Sequence, residues 1–262
     1  MILLLIQWLK EGCKGETSSH FTEGIRVDIV HIPFFKNRGI IMKIFILDTG
    51  CNKHDFFIEN KININFTDDK NGHGTNVAGI VSNIAPKEEY HMLPVMGSNG
   101  KGNCLTICEA INEAIEGEAD IILMSIGIDK NKEELYKMIK KAVRKKIFIF
   151  SASGNYPNKK FYPASYGEVI SVGSIQDNKK SNWSCLADVY CEGTNIIAPS
   201  FNNLYSKVTG TSFSTAIICG YAIIIIKEYE KKHNKKPSKN QLLKILKEVF
   251  PYEYWLLYNN GK

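Results

Sequence analysis

At 262 residues, 44% of them hydrophobic and 23% charged, the chain has the composition of one large globular α/β domain and not of a disordered segment. The net charge of +6 is modest, and the lysines gather at 137–146 and 227–247, where they read as solvated helix faces. No aromatic-interleaved basic motif accompanies them, which argues against a nucleic-acid partner.

The chain opens with "MILLLIQWLKEGCKG". It lacks a basic leader, its apolar run is shorter than a membrane span, and no small-residue cleavage site follows it. Residues 1–20 are therefore expected to be an N-terminal extension, packed, inhibitory or processed, with a degenerate secretion signal as the alternative. Short apolar runs then recur at Lys43–Leu47, His91–Val95, Asp120–Ser125, Lys146–Ser151 and Val169–Val172. Helical spacing lies between and after them, at Thr75–Asn83, Leu105–Gly117, Lys132–Lys145, Ser212–Lys231 and, past "HNKKPSKN", at Gln241–Val249. Strands apolar on both sides, alternating with helices, predict a three-layer α/β fold. Its doubly wound, mostly parallel sheet would carry helices on both faces. In such sheets ligands meet the carboxyl ends of the strands.

Seven cysteines, at 13, 51, 104, 108, 185, 191 and 219, form no zinc-type pair of motifs and point to a reducing, cytoplasmic compartment. Cys51, Cys104 and Cys219 read as small core residues. Cys104 and Cys108 share a helix face, but no His or second Cys pair lies close in sequence to complete a metal site.

Three polar clusters stand after or between the elements: "FILDTGC" with Asp48, "NGHGTNVAGI" with His73, and "GTSFST" with Ser212, the last running straight into "AIICGYAIIII". Singly, each has a plain explanation: a strand-ending turn, a helix start, an N-cap serine. Together they supply an acid, a base and a nucleophile in the order Asp, His, Ser, each flanked by Gly and Thr. With them the chain resembles the subtilisin-like serine proteases over most of its length, from about Glu23 to Lys247. "LMSIG" (123–127), "SASGN" (151–155), "VMGSNGKG" (95–102) and "FYPASYGEVISVGS" (161–174) match in place and order. "EGIRV", "DTGC" and "NFTDDKNGHGT" look most like the intracellular bacterial branch.

The resemblance implies a serine endopeptidase whose peptidase domain spans 21–262, with Ser212 as nucleophile, His73 as base, Asp48 orienting the imidazole and Asn155 holding the oxyanion. It implies an extended peptide bound between Lys101–Gly102 and Ser125–Gly127. Ser125, Ile126, Gly127, Ser153 and Gly154 would wall a specificity pocket, and its glycines suggest room for a sizeable apolar side chain. Protein or peptide substrate is the expected partner, with no nucleic acid and no membrane. A dedicated processing protease for one precursor, or a catalytically silent binding protein, are the alternative functions; secretion is the alternative location.

Departures from the family pattern carry their own expectations. Ala216 stands where a Pro is usual, which should alter packing and spare activity. Asn76 replaces a common second His without a catalytic role. "VSNIAPKEEYH" leaves no room for the family's tight calcium loop, although Asp55 is a surviving ligand type. No cofactor is therefore expected, with a weak cation site near 162–169 left open.

Overall fold

The computed structural model describes residues 40–156, 159–175 and 187–251. The extension at 1–20, Cys13 and Cys185 lie outside the described residues.

Seven strands form a parallel sheet: β1 (Lys43–Asp48), β2 (Asn63–Ile64), β3 (Glu89–Pro94), β4 (Ile121–Met124), β5 (Phe148–Ala152), β6 (Ile170–Ile175) and β7 (Val189–Glu192). Their order across the sheet is β2-β3-β1-β4-β5-β6-β7. Side-chain alternation sends successive strand residues into two different cores. Ile44 and Ile46 of β1, with Ile121 and Leu123 of β4, enter one; Phe45 and Leu47, with Ile122 and Met124, enter the other. Both are apolar, which is why these strands read as unbroken apolar runs and not as alternating ones.

One core is covered by α2 (His73–Ile84), α5 (Thr211–His233) and α6 (Lys239–Val249), the other by α3 (Cys104–Glu116) and α4 (Glu133–Arg144). Helix α4 buries Leu135, Ile139 and Ala142 and turns its lysines outward, so its stripe is narrow. Helix α5 is different: nearly every residue from Thr211 to Ile226 is buried. By length and composition it would suit a bilayer, but 83% of its most apolar stretch is packed inside the fold. Ala216 is fully buried within it.

The five strands and five helices expected from sequence are all present, with ends displaced by a few residues. Sequence periodicity passed over the short α1 (Asp55–Glu59), the two-residue β2, β7, and the antiparallel hairpin of β8 (Ile196–Pro199) and β9 (Tyr205–Val208). Cys51 and Cys219 are buried as expected, whereas Cys104 is only partly covered.

Candidate active site

Asp48 is the last residue of β1 and is completely buried. Its Oδ1 lies 2.6 Å from His73 Nδ1 and also accepts from the Thr49 N–H at 2.8 Å. His73 is the first residue of α2 and keeps about a quarter of its side chain exposed (26%). The helix start can approach the strand end this closely because residue 74 is glycine: a Cβ there would lie 2.1 Å from the Gly50 carbonyl oxygen and 3.2 Å from Asp48 Cβ.

A third residue, not singled out by the motifs, completes this half. Asp69 is buried and accepts four hydrogen bonds from the segment that carries His73. Oδ1 takes the N–H groups of Asn71 (3.0 Å) and Gly72 (2.7 Å). Oδ2 takes the Thr75 N–H (2.9 Å) and hydroxyl (2.6 Å). The N-cap position, Gly72, has no side chain to offer, so Asp69 caps α2 from upstream. Burial pushes the Asp69 carboxyl up, but its hydrogen bonds from Thr75, Gly72 and Thr49 outweigh that and hold it below the usual carboxylate range. For His73, burial pulls the imidazole down; the charge and hydrogen bond of Asp48, with the Asp69 charge added, outweigh it and raise its pKa above the ordinary value. The signal for Asp69 in sequence, an acid four residues before the His, is indistinguishable from the neighbouring Asp68.

Ser212 is the second residue of α5, behind an N-cap that is Gly210. The plain reading of an N-cap serine is therefore wrong: the Ser212 hydroxyl donates across the sheet end to the Ser125 carbonyl at 3.3 Å. The Ser125 hydroxyl returns a bond to the Ser212 carbonyl at 3.1 Å. Asn155 Oδ1 accepts from the Thr211 N–H (2.9 Å) and hydroxyl (3.0 Å), which pins the exposed amide beside the start of α5. On the other side, the rings of His73 and Phe213 lie 5.4 Å apart, so the imidazole meets the residue next to Ser212. Asp48, His73, Ser212 and Asn155 thus converge from β1, α2, α5 and the end of β5.

Ser125, Ile126 and Gly127 follow β4 directly, and Ser153 and Gly154 follow β5, its parallel neighbour. Lys101 and Gly102 lie on an exposed arm after β3, where Gly102 pairs with Met96. The space beside Gly127 and Gly154 is taken up by the ring of Phe161, a residue that sequence reasoning did not single out for the pocket. Asn76 binds the Pro199 carbonyl and the Ser206 hydroxyl, joining α2 to the β8–β9 hairpin. Asp55 is exposed, and among the described residues no group of three His, Cys, Asp or Glu is arranged to hold a metal.

A buried acid, a partly exposed imidazole and a buried serine thus gather at the carboxyl-end side of the parallel sheet, where such folds hold their ligands. Residues 39–248 match the Subtilase family, and the chain belongs to that family. It is 32% identical to the major intracellular serine protease of Bacillus subtilis, over 88% of this chain and 83% of that one. It is also 32% identical to an intracellular serine protease of Paenibacillus polymyxa (77% and 72% covered), and 28% identical to subtilisin DY of Bacillus licheniformis (78% and 83%). The protein is a subtilisin-like serine endopeptidase, acting on peptide or protein substrates.

Proposed function

We propose that Ser212, His73 and Asp48 form the catalytic triad and that Asn155 is the oxyanion donor. The observation that carries this reading is the 2.6 Å contact between Asp48 Oδ1 and His73 Nδ1, made beside a helix start that presents Ser212. Ser212 Oγ attacks the scissile carbonyl carbon as its proton passes to His73 Nε2. The electron pair moves to the carbonyl oxygen, where Asn155 Nδ2 and the backbone N–H at the start of α5 receive it. Collapse breaks the C–N bond, the amine takes the proton from His73, and an acyl-Ser212 ester remains. Water, deprotonated by His73, then hydrolyses the ester and restores the hydroxyl.

The substrate binds extended, between the arm of Lys101–Gly102 and the strand end at Ser125–Gly127, with Ser125, Ile126, Gly127, Ser153 and Gly154 about the cleaved residue. Residues 21–262 act as the peptidase domain, in the cytoplasm, as the intracellular relatives and the free, partly exposed Cys104 and Cys108 suggest. Neither nucleic acid nor membrane takes part, and none of the steps calls on a metal ion.

Labelling with a fluorophosphonate probe tests the assignment. The native chain should label with EGTA present, while Ser212→Ala and His73→Ala should not. Labelling that survives either substitution overturns the triad, and labelling abolished by EGTA overturns metal independence.

A further inference from the structure

The slot beside Ser212 is bounded by two strand ends. β4 and β5 pair up to Met124 and Ser151, and beyond them the chain runs on as Ser125–Gly127 and Ala152–Gly154. Ser125 exchanges hydrogen bonds with Ser212, and Gly154 adjoins Asn155. A peptide whose carbonyl lies between Ser212 Oγ and the Asn155 amide therefore directs the side chain of the cleaved residue between these two segments.

That slot is already filled. A Cβ built on Gly154 would lie 2.2 Å from Phe161 Cδ2 and 2.7 Å from Cε2, so the ring occupies the space a side chain at Gly154 would take. A Cβ on Gly127 would lie 3.2 Å from Phe161 Cβ, so the same residue touches the opposite wall. Gly154 has φ +96°, a conformation that resists any other residue, so the pocket cannot be recut there cheaply.

The ring is held in place by its backbone. Next to it, Tyr162 and Ile128 exchange two hydrogen bonds of 2.8 Å, and the Phe161 carbonyl accepts from the Ser165 N–H at 2.9 Å. On its outer side Lys159 Nζ stands 5.1 Å from the ring centroid. These backbone bonds fix the Cα from which the ring projects, and swinging the ring out would give up its packing against Gly154 and Gly127 and its contact with Lys159.

We infer that Phe161 is a specificity-determining residue that occupies the pocket for the cleaved residue and restricts cleavage to peptides with glycine or alanine there. The inference rests on the triad reading given above. It replaces the expectation, drawn from Gly127 and Gly154, of a pocket for a sizeable apolar side chain. The glycines are needed by the enzyme's own phenylalanine and not by a substrate's.

The test compares tetrapeptide anilides that differ at the cleaved residue: Gly, Ala, Leu and Phe. For the native enzyme, kcat/KM should be at least about tenfold higher for Ala than for Phe, the scale on which an apolar pocket discriminates by size. In Phe161→Gly the Phe-to-Ala ratio should rise at least about tenfold. Native preference for Leu or Phe, or a ratio that Phe161→Gly leaves unmoved, overturns the inference. If that variant does not fold, cut sites mapped by mass spectrometry on an unfolded protein digested by the native enzyme decide it: clustering after Gly and Ala supports it, cutting after Leu and Phe sinks it. Fluorophosphonate labelling of the native chain separates the two readings. A labelled enzyme with a large-residue preference loses the Phe161 assignment, whereas a chain that fails to label loses the triad beneath it.

Discussion

The two halves of the site are built in opposite ways. The Asp48–His73 half is finished before any substrate arrives: Asp48 is completely buried, its contact to the imidazole is 2.6 Å, and Asp69 fixes the loop behind with four hydrogen bonds. The Ser212–Asn155 half is left open. The serine hydroxyl rests on the Ser125 carbonyl at 3.3 Å, and Asn155, an exposed residue, is anchored through its side-chain oxygen. Charge needs an interior and fixed partners to exert its effect, because screening in water weakens it. Groups that act on the reacting carbonyl must stay free until that carbonyl is present. On the proposed triad, the first half would serve folding and catalysis together and the second chiefly catalysis.

Replacing Asp48 puts the largest strain on this division. Asp48→Ala should lower kcat by about 10⁴, the size of loss known for the subtilisins themselves when the orienting acid is removed. It should also lower Tm, because His73 loses its partner and a void opens at the end of β1. The second carboxylate oxygen, Oδ2, is buried and has no hydrogen-bond partner among the described residues. A variant that keeps its activity while losing Tm would show that Asp48 is a folding element alone.

Asn155→Ala tests the open half. The expected loss in kcat is about 10²–10³, again the scale found in subtilisin, with KM nearly constant because the donor acts on charge that develops in the transition state. Tm should fall by less than in Asp48→Ala: the lost side chain is exposed, but its removal leaves the buried Thr211 N–H and hydroxyl without their acceptor. A steady-state comparison of kcat with KM, alongside a melting curve, separates these effects. A large fall in Tm would mean that the Asn155–Thr211 contacts hold the start of α5.

How much of this was legible beforehand follows the same division. The strands announced themselves because a parallel sheet buried on both faces needs short apolar runs, and "KIFIL" or "DIILMS" can be little else. The β8–β9 hairpin was not visible, since "IIAP" and "YSKV" are only four residues each and "YSKV" is half polar. Asp48, His73 and Ser212 were legible through the Gly and Thr around them, which mark places where backbone passes close to backbone. Asp69 and Phe161 were not. Asp69 is distinguished from Asp68 only by the N–H and O–H groups that donate to it, and Phe161 only by the pairing of Tyr162 with Ile128, a contact between distant segments. Local pattern carries no information about either.

The smallest expected effect, and the sharpest on the finished half, belongs to Asp69. Its charge adds to that of Asp48 in raising the His73 pKa. As the proposed base, His73 must be neutral to accept the Ser212 proton, so kcat/KM should rise with pH through that raised value. Asp69→Asn removes one of the two negative charges and should move the acid limb of the profile to lower pH, by less than about one unit because the Asp48 contact remains. Stability moves with the opposite sign. A raised His73 pKa stabilises the fold fully below the unfolded imidazole value, and this is lost as pH climbs through the folded one. Asp69, held below the carboxylate range, stabilises above its unfolded value and loses this as pH falls through the folded one. The Tm gap between the native chain and Asp69→Asn should thus widen as pH falls through the His73 value and narrow only as pH falls further through the Asp69 value. An acid limb that stays in place while Tm drops would reduce Asp69 to a cap on α2, with no hold on the imidazole at all.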